Sequence, residues 1–506
     1  MTIQTPQAKP RRVGARELLA ATLDEGSWVD WDGPPLRVAD EDSPYAAELA
    51  AAAERSGVDE SIITGEGRIR GRRVAVIAGE FRFLAGSIGN TAAERIVLAF
   101  ERARREALPL FAAPSSGGTR MQEGTPAFVG MVKISAACAA FKDAGLPYLV
   151  YLRHPTTGGV FASWASLGHV TVAEPGATIG FLGARVYEAL YGQPFPDDVQ
   201  TAENLFEHGL IDAILPVEAL AEVADRALGV LMAPREDLPE VPELPKEELP
   251  DLPAWDSITR SRREDRPGVR ALLRLGATDV LPLHGTGSGE YDPGLLMALA
   301  RFGGAPCVVL GQDRRGQTLD DPLSPKGLRV ARRGMRLAHE LKLPLVSIID
   351  TAGAALSREA EEGGLAGEIA RCLAELVMLD APTLCVLLGQ GTGGGALAVM
   401  PADRVICAQH SWLSPLPPEG ASAILYRETS RAPELAESQR VRSLDLLADG
   451  IVDRIVAEHP DAADEPEAFC ARMSQTIQHE LATLARLDPA ERLQARLDRY
   501  RGLGVG

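Results

Sequence analysis

Two short glycine-rich segments contain the residues whose types and spacing most directly suggest chemistry. Gly158 and Gly159 lie in TTGGVFASW, where an apolar strand-like run ends and a helix is predicted from about Val160. Gly395 and Ala396 occupy the same place in GQGTGGGALAVM. Glycine lets the backbone approach a ligand, and the first N–H groups of a helix have no intrahelical acceptor. Such groups can stabilise a developing enolate oxygen, so the two segments predict two oxyanion holes.

A glycine pair can also be a sharp turn between a strand and a helix and nothing more. The occurrence of two matched pairs in one chain favours the oxyanion holes. Few acids and bases stand near these turns, and His154 and His169 are more typical of structural histidines. This scarcity favours a reaction whose difficulty is enolate stabilisation, since backbone donors and orientation can then supply most of the catalysis.

A third segment, PSSGGTRMQEG, also follows a strand-like run and offers backbone donors beside a positive charge. Ser116, Gly117 and Gly118 supply the donors, and Arg120 lies two residues further along. The arrangement suits a phosphate or a carbonyl oxygen of a ligand. A serine nucleophile is not indicated, because neither Ser115 nor Ser116 lies in a G-x-S-x-G pattern.

The elements that must position these turns occur twice in the chain. Four landmarks recur at a nearly constant offset, which predicts two copies of one fold. The paired positions, each with its difference in numbering, are Pro109 and Pro344 (235), Pro147 and Pro382 (235), Gly159 and Gly395 (236), and Gly209 and Gly450 (241).

Each copy alternates apolar strands with helical patterns, which is typical of an α/β fold. One predicted helix runs from about Thr91 to Glu106, with Ile96 and Phe100 on its apolar face. The segment 233–255 is rich in proline and carboxylates and is predicted to be a linker. The predicted organisation is therefore a disordered tail at 1–15, a domain at 16–232, the linker at 233–255 and a domain at 256–506.

Composition limits the classes of function. The net charge of −18 argues against general nucleic-acid binding. No run of eighteen apolar residues predicts a membrane span, and the N-terminus lacks the apolar core of a secretory signal. The six scattered cysteines form no CxxC pair, which argues against a zinc ribbon or a disulfide framework, and no metal site is expected. These features predict a protein of the reducing cytoplasm.

The long motifs resemble a known family. PSSGGTRMQEG and LPYLVYLRHPTTGGVFASWASLGHVTVAEPGATIGFLG are similar to the β half of bacterial acetyl-CoA carboxylase carboxyltransferase. DDPLSPKGLRVARRGMRLAHELKLPLVSIIDTAGA and GQGTGGGALAVMPADRV are similar to its α half. The whole chain resembles the fused actinobacterial carboxyltransferase subunits of biotin-dependent acetyl-CoA and acyl-CoA carboxylases.

The resemblance implies two tandem crotonase-like domains, each a ββα superhelix with oxyanion holes at glycine-rich strand ends. It implies that carboxybiotin gives up CO2, that the biotin enolate removes the α-proton of an acyl-CoA, and that the acyl enolate attacks CO2. By the same resemblance, Gly158-Gly159 and Gly395-Ala396 form the oxyanion holes. Ser116, Gly117, Gly118 and Arg120 then face CoA.

The resemblance also implies partners. None of the six lysines lies between methionines as a biotinylated lysine would, so a biotin carboxylase and a biotin carboxyl carrier protein are expected as separate subunits. The active site of the family forms between the N-half of one protomer and the C-half of another. A homodimer or a trimer of dimers is therefore expected.

Two departures from the family pattern leave alternatives open. The first cysteine is Cys138, so the four-cysteine zinc ribbon of bacterial β subunits is absent. GAALSREAEEGG, after Asp350, replaces a GAYPGVGAEERG-like stretch, which places acyl or biotin specificity in doubt. The alternatives are an acyl-CoA decarboxylase, a crotonase-type hydratase or isomerase, and a catalytically degenerate scaffold that binds CoA. Acetyl- or propionyl-CoA is the expected substrate of the transferase.

Overall fold

The structure is a computed structural model that describes residues 12–36, 38–234, 238, 241–242, 245–318 and 322–504. It divides into two compact units, residues 1–232 with 287–289 and residues 233–286 with 290–506. Most of the tail predicted at 1–15, and part of the linker predicted at 233–255, lie outside the described residues. Ala15, the last residue of the predicted tail, begins a helix. Ala254, close to the end of the predicted linker, begins another. The predicted domain limits stay a prediction.

The first unit is built from short strands joined by helices. Its elements are α1 (Ala15–Thr22), β1 (Val29–Asp30), α2 (Pro44–Ser56), β2 (Ile62–Ile69), β3 (Arg72–Gly79), α3 (Asn90–Arg105), β4 (Leu110–Ala113), α4 (Gly124–Asp143), β5 (Tyr148–Leu152), β6 (Thr156–Thr157), β7 (Val170–Ala173), β8 (Ile179–Gly180), α5 (Ala184–Tyr191), α6 (Ala202–Glu207), β9 (Ala213–Ile214) and α7 (Leu220–Leu231).

The main sheet of this unit has the order β1-β2-β3-β4-β5-β7-β9, and β6 and β8 form a second, two-stranded sheet. β2 and β3 form an antiparallel hairpin, whereas β3 to β9 are parallel. β4 and β5 are buried along their whole length, as expected of parallel strands covered on both faces. Phe100, Phe141 and Tyr148 pack edge to face between helices α3 and α4 and the sheet.

The second unit has more helices around a similar sheet. Its elements are α8 (Ala254–Ser261), α9 (Val269–Gly276), β10 (Thr278–Leu283), β11 (Leu295–Phe302), β12 (Ala305–Gln312), α10 (Pro325–Leu341), β13 (Leu345–Thr351), α11 (Arg358–Glu362), α12 (Leu365–Val377), β14 (Thr383–Thr392), α13 (Gly393–Leu397), β15 (Arg404–Ala408), β16 (Trp412–Ser414), α14 (Pro418–Tyr426), α15 (Ala432–Ser438), α16 (Ser443–Ala448), β17 (Arg454–Val456), α17 (Pro466–Leu484) and α18 (Pro489–Gly502).

Its main sheet has the order β10-β11-β12-β13-β14-β15-β17, and β16 pairs with the end of β14. β11 and β12 form the antiparallel hairpin, and β12 to β17 run parallel. Helix α10 begins at Pro325 because Ser324 caps it, accepting a hydrogen bond from the Lys326 amide. The two units therefore share one design, a hairpin followed by parallel strands with helical crossovers. The predicted α/β fold of two crotonase-like domains is confirmed.

One predicted helix lies close to its expected place and another is wrong. The helix predicted over about Thr91–Glu106 is α3, which runs from Asn90 to Arg105. The helix predicted from about Val160 does not form: residues 158–163 make turns, followed by the 3-10 helix Trp164–Ser166. The backbone of Ser163, with a φ of −136° and a ψ of −113°, lies outside the helical region and interrupts any helix there.

Candidate active site

In the first unit, two glycine turns face each other beyond the carboxyl ends of β4 and β5. Gly118 has a φ of 114° and Gly158 a φ of 66°, both in the region that favours glycine. A Cβ atom placed on Gly158 would lie 3.2 Å from the Gly118 Cα. The residues between the strands and these turns are joined by the Ser116–Thr156 bridge. The structure therefore brings the predicted segments 116–118 and 158–159 together.

The backbone N–H groups of the two turns differ in their partners. The Gly118 amide donates to Ser116 Oγ (3.0 Å), and the Gly158 amide donates to the Gly180 carbonyl (3.1 Å). Among the described residues, no acceptor is hydrogen-bonded to the amides of Gly159 and Val160. Gly159 is half-buried. These two amides are therefore the free donors that an oxyanion would need in this unit.

The second unit repeats the arrangement at the ends of β13 and β14. Gly353 has a φ of 134° and Gly393 a φ of 62°. The Gly353 amide donates to Thr351 Oγ1 (3.1 Å), as the Gly118 amide does to Ser116. A Cβ atom on Gly395 would lie 3.2 Å from the Ala354 amide nitrogen, so this glycine turn also faces the turn after the preceding strand. Ala396 is fully buried beside it.

The register of the two units explains the offsets of 235 and 236 found in the sequence. The left-handed glycines keep the first offset, since Gly118 corresponds to Gly353 and Gly158 corresponds to Gly393. The Ile88–Thr119 and Leu323–Ala354 bridges keep the same offset. Gly159 packs against Thr119 as Gly395 packs against Ala354, at an offset of 236. The second unit thus has one extra glycine between its left-handed residue and the glycine that faces the first turn.

Arg120 does not occupy the place predicted for it. Its side chain is fully buried and pairs with the carboxylates of Glu60 and Glu123. The guanidinium also donates to Ser61 Oγ and to the Ser87 carbonyl. Because protein groups occupy its donors, a direct contact between Arg120 and CoA is contradicted by the structure. Arg120 holds the segment after Gly118 against the protein instead.

A cleft of about 310 Å³ opens beside the first turn. Arg12, Arg82 and His154 line it together with the Phe81 ring, and Glu80 and Ser115 also belong to the lining. The Arg12 guanidinium lies 4.8 Å from the centre of the Phe81 ring, a distance suited to a cation–π contact. Burial, and then the positive charge of Arg12, lower the pKa of His154. The cleft therefore combines two cations, a neutral imidazole, an aromatic face and one carboxylate, that of Glu80, which accepts from the Ala15 amide.

Asp350 is a buried carboxylate at the second pair of turns. It accepts from the Gln390 amide (3.1 Å), and Arg314 Nε lies 3.7 Å from it. Burial raises the pKa of this carboxyl, and the positive charge of Arg314 opposes that rise.

Four components of the candidate sites were not predicted from the sequence: Asp350, Ser163, Gln312 and the cleft. Only Asp350 and its position at a strand end could have been noticed in the sequence.

Comparisons with known proteins agree on one family. The family described as the carboxyl transferase domain matches residues 16–493. A protein of Mycobacterium tuberculosis named "Probable biotin-dependent acyl-coenzyme A carboxylase beta3 subunit" is 62% identical over 494 residues, covering 98% of this chain and 99% of its own. The acetyl-coenzyme A carboxylase carboxyl transferase subunits beta/alpha of Parafrankia sp. are 36% identical, covering 98% of this chain and 86% of their own.

Among solved structures, the transcarboxylase 12S hexamer with bound methylmalonyl-coenzyme A has a TM-score of 0.71 at 21% identity. The match covers 92% of this chain and 90% of that one. At this identity the likeness concerns the fold alone, and it agrees with the fold that the family resemblance implied.

Proposed function

The chain belongs to the carboxyl transferase family of biotin-dependent acyl-CoA carboxylases, and from this premise we propose that it transfers CO2 from carboxybiotin to acetyl-CoA or another short acyl-CoA. The observation that carries the proposal is the pair of facing glycine turns present in both units. In each pair, backbone amides beside a glycine lie where a developing oxyanion could be bound. The product would be malonyl-CoA or a homologue of it.

Two enolates arise in such a transfer, which accounts for two oxyanion sites. Cleavage of the N–CO2 bond of carboxybiotin leaves the negative charge on the ureido oxygen. The ureido group then takes the α-proton of the thioester, and the charge moves to the thioester oxygen. Attack of the α-carbon on CO2 completes the carboxylate. Under this proposal the Gly158–Gly159 turn serves one oxygen through the amides of Gly159 and Val160, since the Gly158 amide is already bonded, and Gly395 and Ala396 serve the other.

The cleft beside the first turn suits the nucleotide half of CoA. Arg12 and Arg82 would pair with phosphates, and the Phe81 ring offers a face for the adenine. Ser116, Gly117 and Gly118 would then lie along the path toward the thioester, in line with the sequence prediction for these residues.

Exposed apolar faces support an assembly of several copies. Helix α4 exposes Phe128, Val129 and Val132, and helix α14 exposes Ile424 and Leu425. Within the described residues, one helical stretch, Met121–Asp143, has the length and apolarity to cross a bilayer, with a mean hydropathy of 1.3. We assign its exposed face to a second copy of the chain, as a homodimer or a trimer of dimers in the cytoplasm. A biotin carboxylase and a biotin carboxyl carrier protein would complete the enzyme.

The test is loss of labelled carboxylate from malonyl-CoA and from methylmalonyl-CoA, with and without free biotin. Biotin-dependent loss is the expected result, and the faster substrate identifies the acyl group. Loss without biotin would instead identify a decarboxylase. Binding of CoA without any loss, even after the carrier and the biotin carboxylase are added, would identify a scaffold and overturn the proposal.

A further inference from the structure

In both units, a side chain holds the carbonyl oxygen of the glycine that faces the first turn. The Gly159 carbonyl accepts from Ser163 Oγ at 2.5 Å. The Gly395 carbonyl accepts from Gln312 Nε2 at 2.6 Å. Gly159 and Gly395 are the two glycines that occupy matching places in the two units. The same backbone atom is therefore bound by a side chain at both candidate sites.

The geometry of the peptide bond makes this contact relevant to catalysis. The Gly395 carbonyl and the Ala396 N–H belong to one peptide group, as do the Gly159 carbonyl and the Val160 N–H. A trans peptide is planar, and its C=O and N–H point in opposite directions. A hydrogen bond that fixes the carbonyl therefore fixes the direction of the N–H on the other side.

The two units reach this result with different residues. Ser163 lies four residues after Gly159 and belongs to the same turn. In the second unit the residue at the corresponding offset of 236 is Val399, which is apolar and buried. Gln312 comes instead from the end of β12, 83 residues before Gly395, and is fully buried. Its Oε1 also accepts from the Asp350 amide at 3.2 Å.

The first unit has no side chain that corresponds to Gln312. The hairpin register pairs Leu295 with Gln312 and Ile62 with Gly79, so Gly79 stands where Gln312 stands. Each unit therefore contains one of two alternative contacts to the same carbonyl. Such an exchange is expected if the orientation of the peptide matters more than the particular side chain.

We propose that Gln312 and Ser163 are positioning residues that orient the Ala396 and Val160 N–H groups toward the developing oxyanions. The inference rests on the proposed function, because it assumes that these turns bind enolate oxygens. Gln312 has a second effect, since its two hydrogen bonds together join Asp350 in β13 to Gly395 in the turn after β14.

The test uses the full-length chain in biotin-dependent loss of label from malonyl-CoA. Gln312→Met keeps the length of the side chain and removes both hydrogen bonds. We expect kcat to fall about ten- to hundredfold, somewhat less than the loss caused by removing an oxyanion donor outright. The KM for malonyl-CoA should change less than about twofold, because ground-state binding is not the interaction removed. Ser163→Ala should act in the same way, and Ser163→Thr should retain activity.

A second variant separates orientation from general damage to the core. Val399→Ser added to Gln312→Met places a hydroxyl four residues after Gly395, as Ser163 stands to Gly159. We expect this pair to recover at least part of kcat. A purely structural role would leave kcat low, since a second buried residue would have been made polar. Unchanged kcat in Gln312→Met, or absence of recovery in a well-folded double variant, would overturn the inference.

Ala396→Pro distinguishes failure of the inference from failure of the proposed function. Proline removes the N–H itself. If Ala396→Pro abolishes turnover while Gln312→Met does not, the oxyanion site stands and the positioning role is wrong. If Ala396→Pro retains full turnover, the oxyanion role of this turn is wrong, and the positioning role fails with it.

Discussion

At the scale of single residues, the guanidinium of Arg120 is buried next to the Ser116–Gly118 turn and pairs with Glu60 and Glu123. A basic residue close to a glycine turn is readily predicted to bind a phosphate, and the sequence pattern predicted this of Arg120. One of its actual partners, Glu60, comes from a segment far earlier in the chain, and sequence spacing gives no sign of it. The charge therefore serves the backbone of the turn, and the CoA phosphates need other cations.

Replacing Arg120 should affect stability before it affects substrate binding. Arg120→Ala leaves buried carboxylates without their cation, a change that costs about 3–5 kcal/mol in comparable buried pairs. We expect a lower midpoint of urea unfolding, with Arg226→Ala, an exposed ion-pair partner of Glu222, as the control of small effect. A normal unfolding midpoint together with a raised KM for acyl-CoA would restore the direct contact with CoA.

Asp350 should make stability depend on pH in the direction opposite to most carboxylates. Burial raises its pKa in the folded state above the ordinary value of 3.8. Its contribution is therefore fully present below pH 3.8 and is lost as pH rises through the raised folded-state value. Asp350→Asn does not titrate. Its unfolding midpoint, relative to the parent chain, should rise as pH increases above 3.8.

Asp265 provides the control for that measurement. Its hydrogen bond with Arg263 lowers the pKa of this exposed carboxyl, so its small contribution is present at neutral pH and lost as pH falls. Asp265→Asn should therefore lose stability relative to the parent chain only as pH rises toward 3.8, and should show no change relative to it above that pH. If both variants changed in the same direction, burial would not govern the titration of Asp350.

At the scale of elements, the facing turns need glycine for two reasons. The backbone is left-handed there, and the opposite turn comes so close that a side chain would have little room. Gly158 meets both conditions, since its φ is 66° and a Cβ would lie 3.2 Å from the Gly118 Cα. Gly192 has a φ of 70° with open space around it. The two glycines thus share the same backbone conformation but differ in what surrounds them.

Gly158→Ala should abolish or strongly reduce turnover, whereas Gly192→Ala should retain it. Both variants incur the left-handed strain of about 1–2 kcal/mol. Only Gly158→Ala forces the facing turns apart and so displaces the proposed oxyanion donors. Steady-state rates of label loss from malonyl-CoA, compared at equal folded fraction, provide the measurement. Equal rates in the two variants would contradict the importance of the close approach.

Sequence patterns predicted the architecture well because repeated buried strands and prolines carry that information locally. The α/β fold and its two copies are confirmed, and so are the crotonase-like domains, which the family resemblance implied; α3 begins one residue before its predicted start. The pattern failed over residues 158–163, where an apolar segment suits either a helix or a series of turns. The structure resolves them at Ser163, whose backbone is non-helical, and no residue type in this segment signals that conformation.

The contacts that complete the candidate site could not be predicted from the sequence, because they too depend on three-dimensional structure. Gln312 bonds a carbonyl 83 residues away, and Arg120 bonds a carboxylate 60 residues away. Periodicity describes which face of an element is buried, but it does not say which buried polar groups meet. The glycine pairs could be predicted because their chemistry lies in the backbone at their own positions.

At the scale of the whole molecule, the exposed apolar face of helix α4 should govern assembly. Phe128 is 65% exposed and Val132 is 68% exposed on the same helix. An exposed apolar face of this kind marks a surface that a partner covers. Under the proposed assembly of several copies, Val132→Glu should lower the molar mass measured by light scattering, and it should reduce turnover if two protomers share the active site.

Val29→Glu is the matched control, since Val29 is an exposed apolar residue of the edge strand β1. It should leave both molar mass and turnover unchanged. A Val132→Glu chain that stays in the same assembly with full activity would show that α4 lies outside the interface.

The constant offset between the two units has a consequence for engineering. From Ile88 to Gly158 and from Leu323 to Gly393, the numbering of matched positions differs by the same amount throughout. The first unit fills the interval between its two turns with α4 and β5, whereas the second fills it with α11, α12 and most of β14. The segments 120–155 and 355–390 are therefore cassettes of equal length. A hybrid chain could exchange them and so change the helices that surround a turn without altering the register of the sheet.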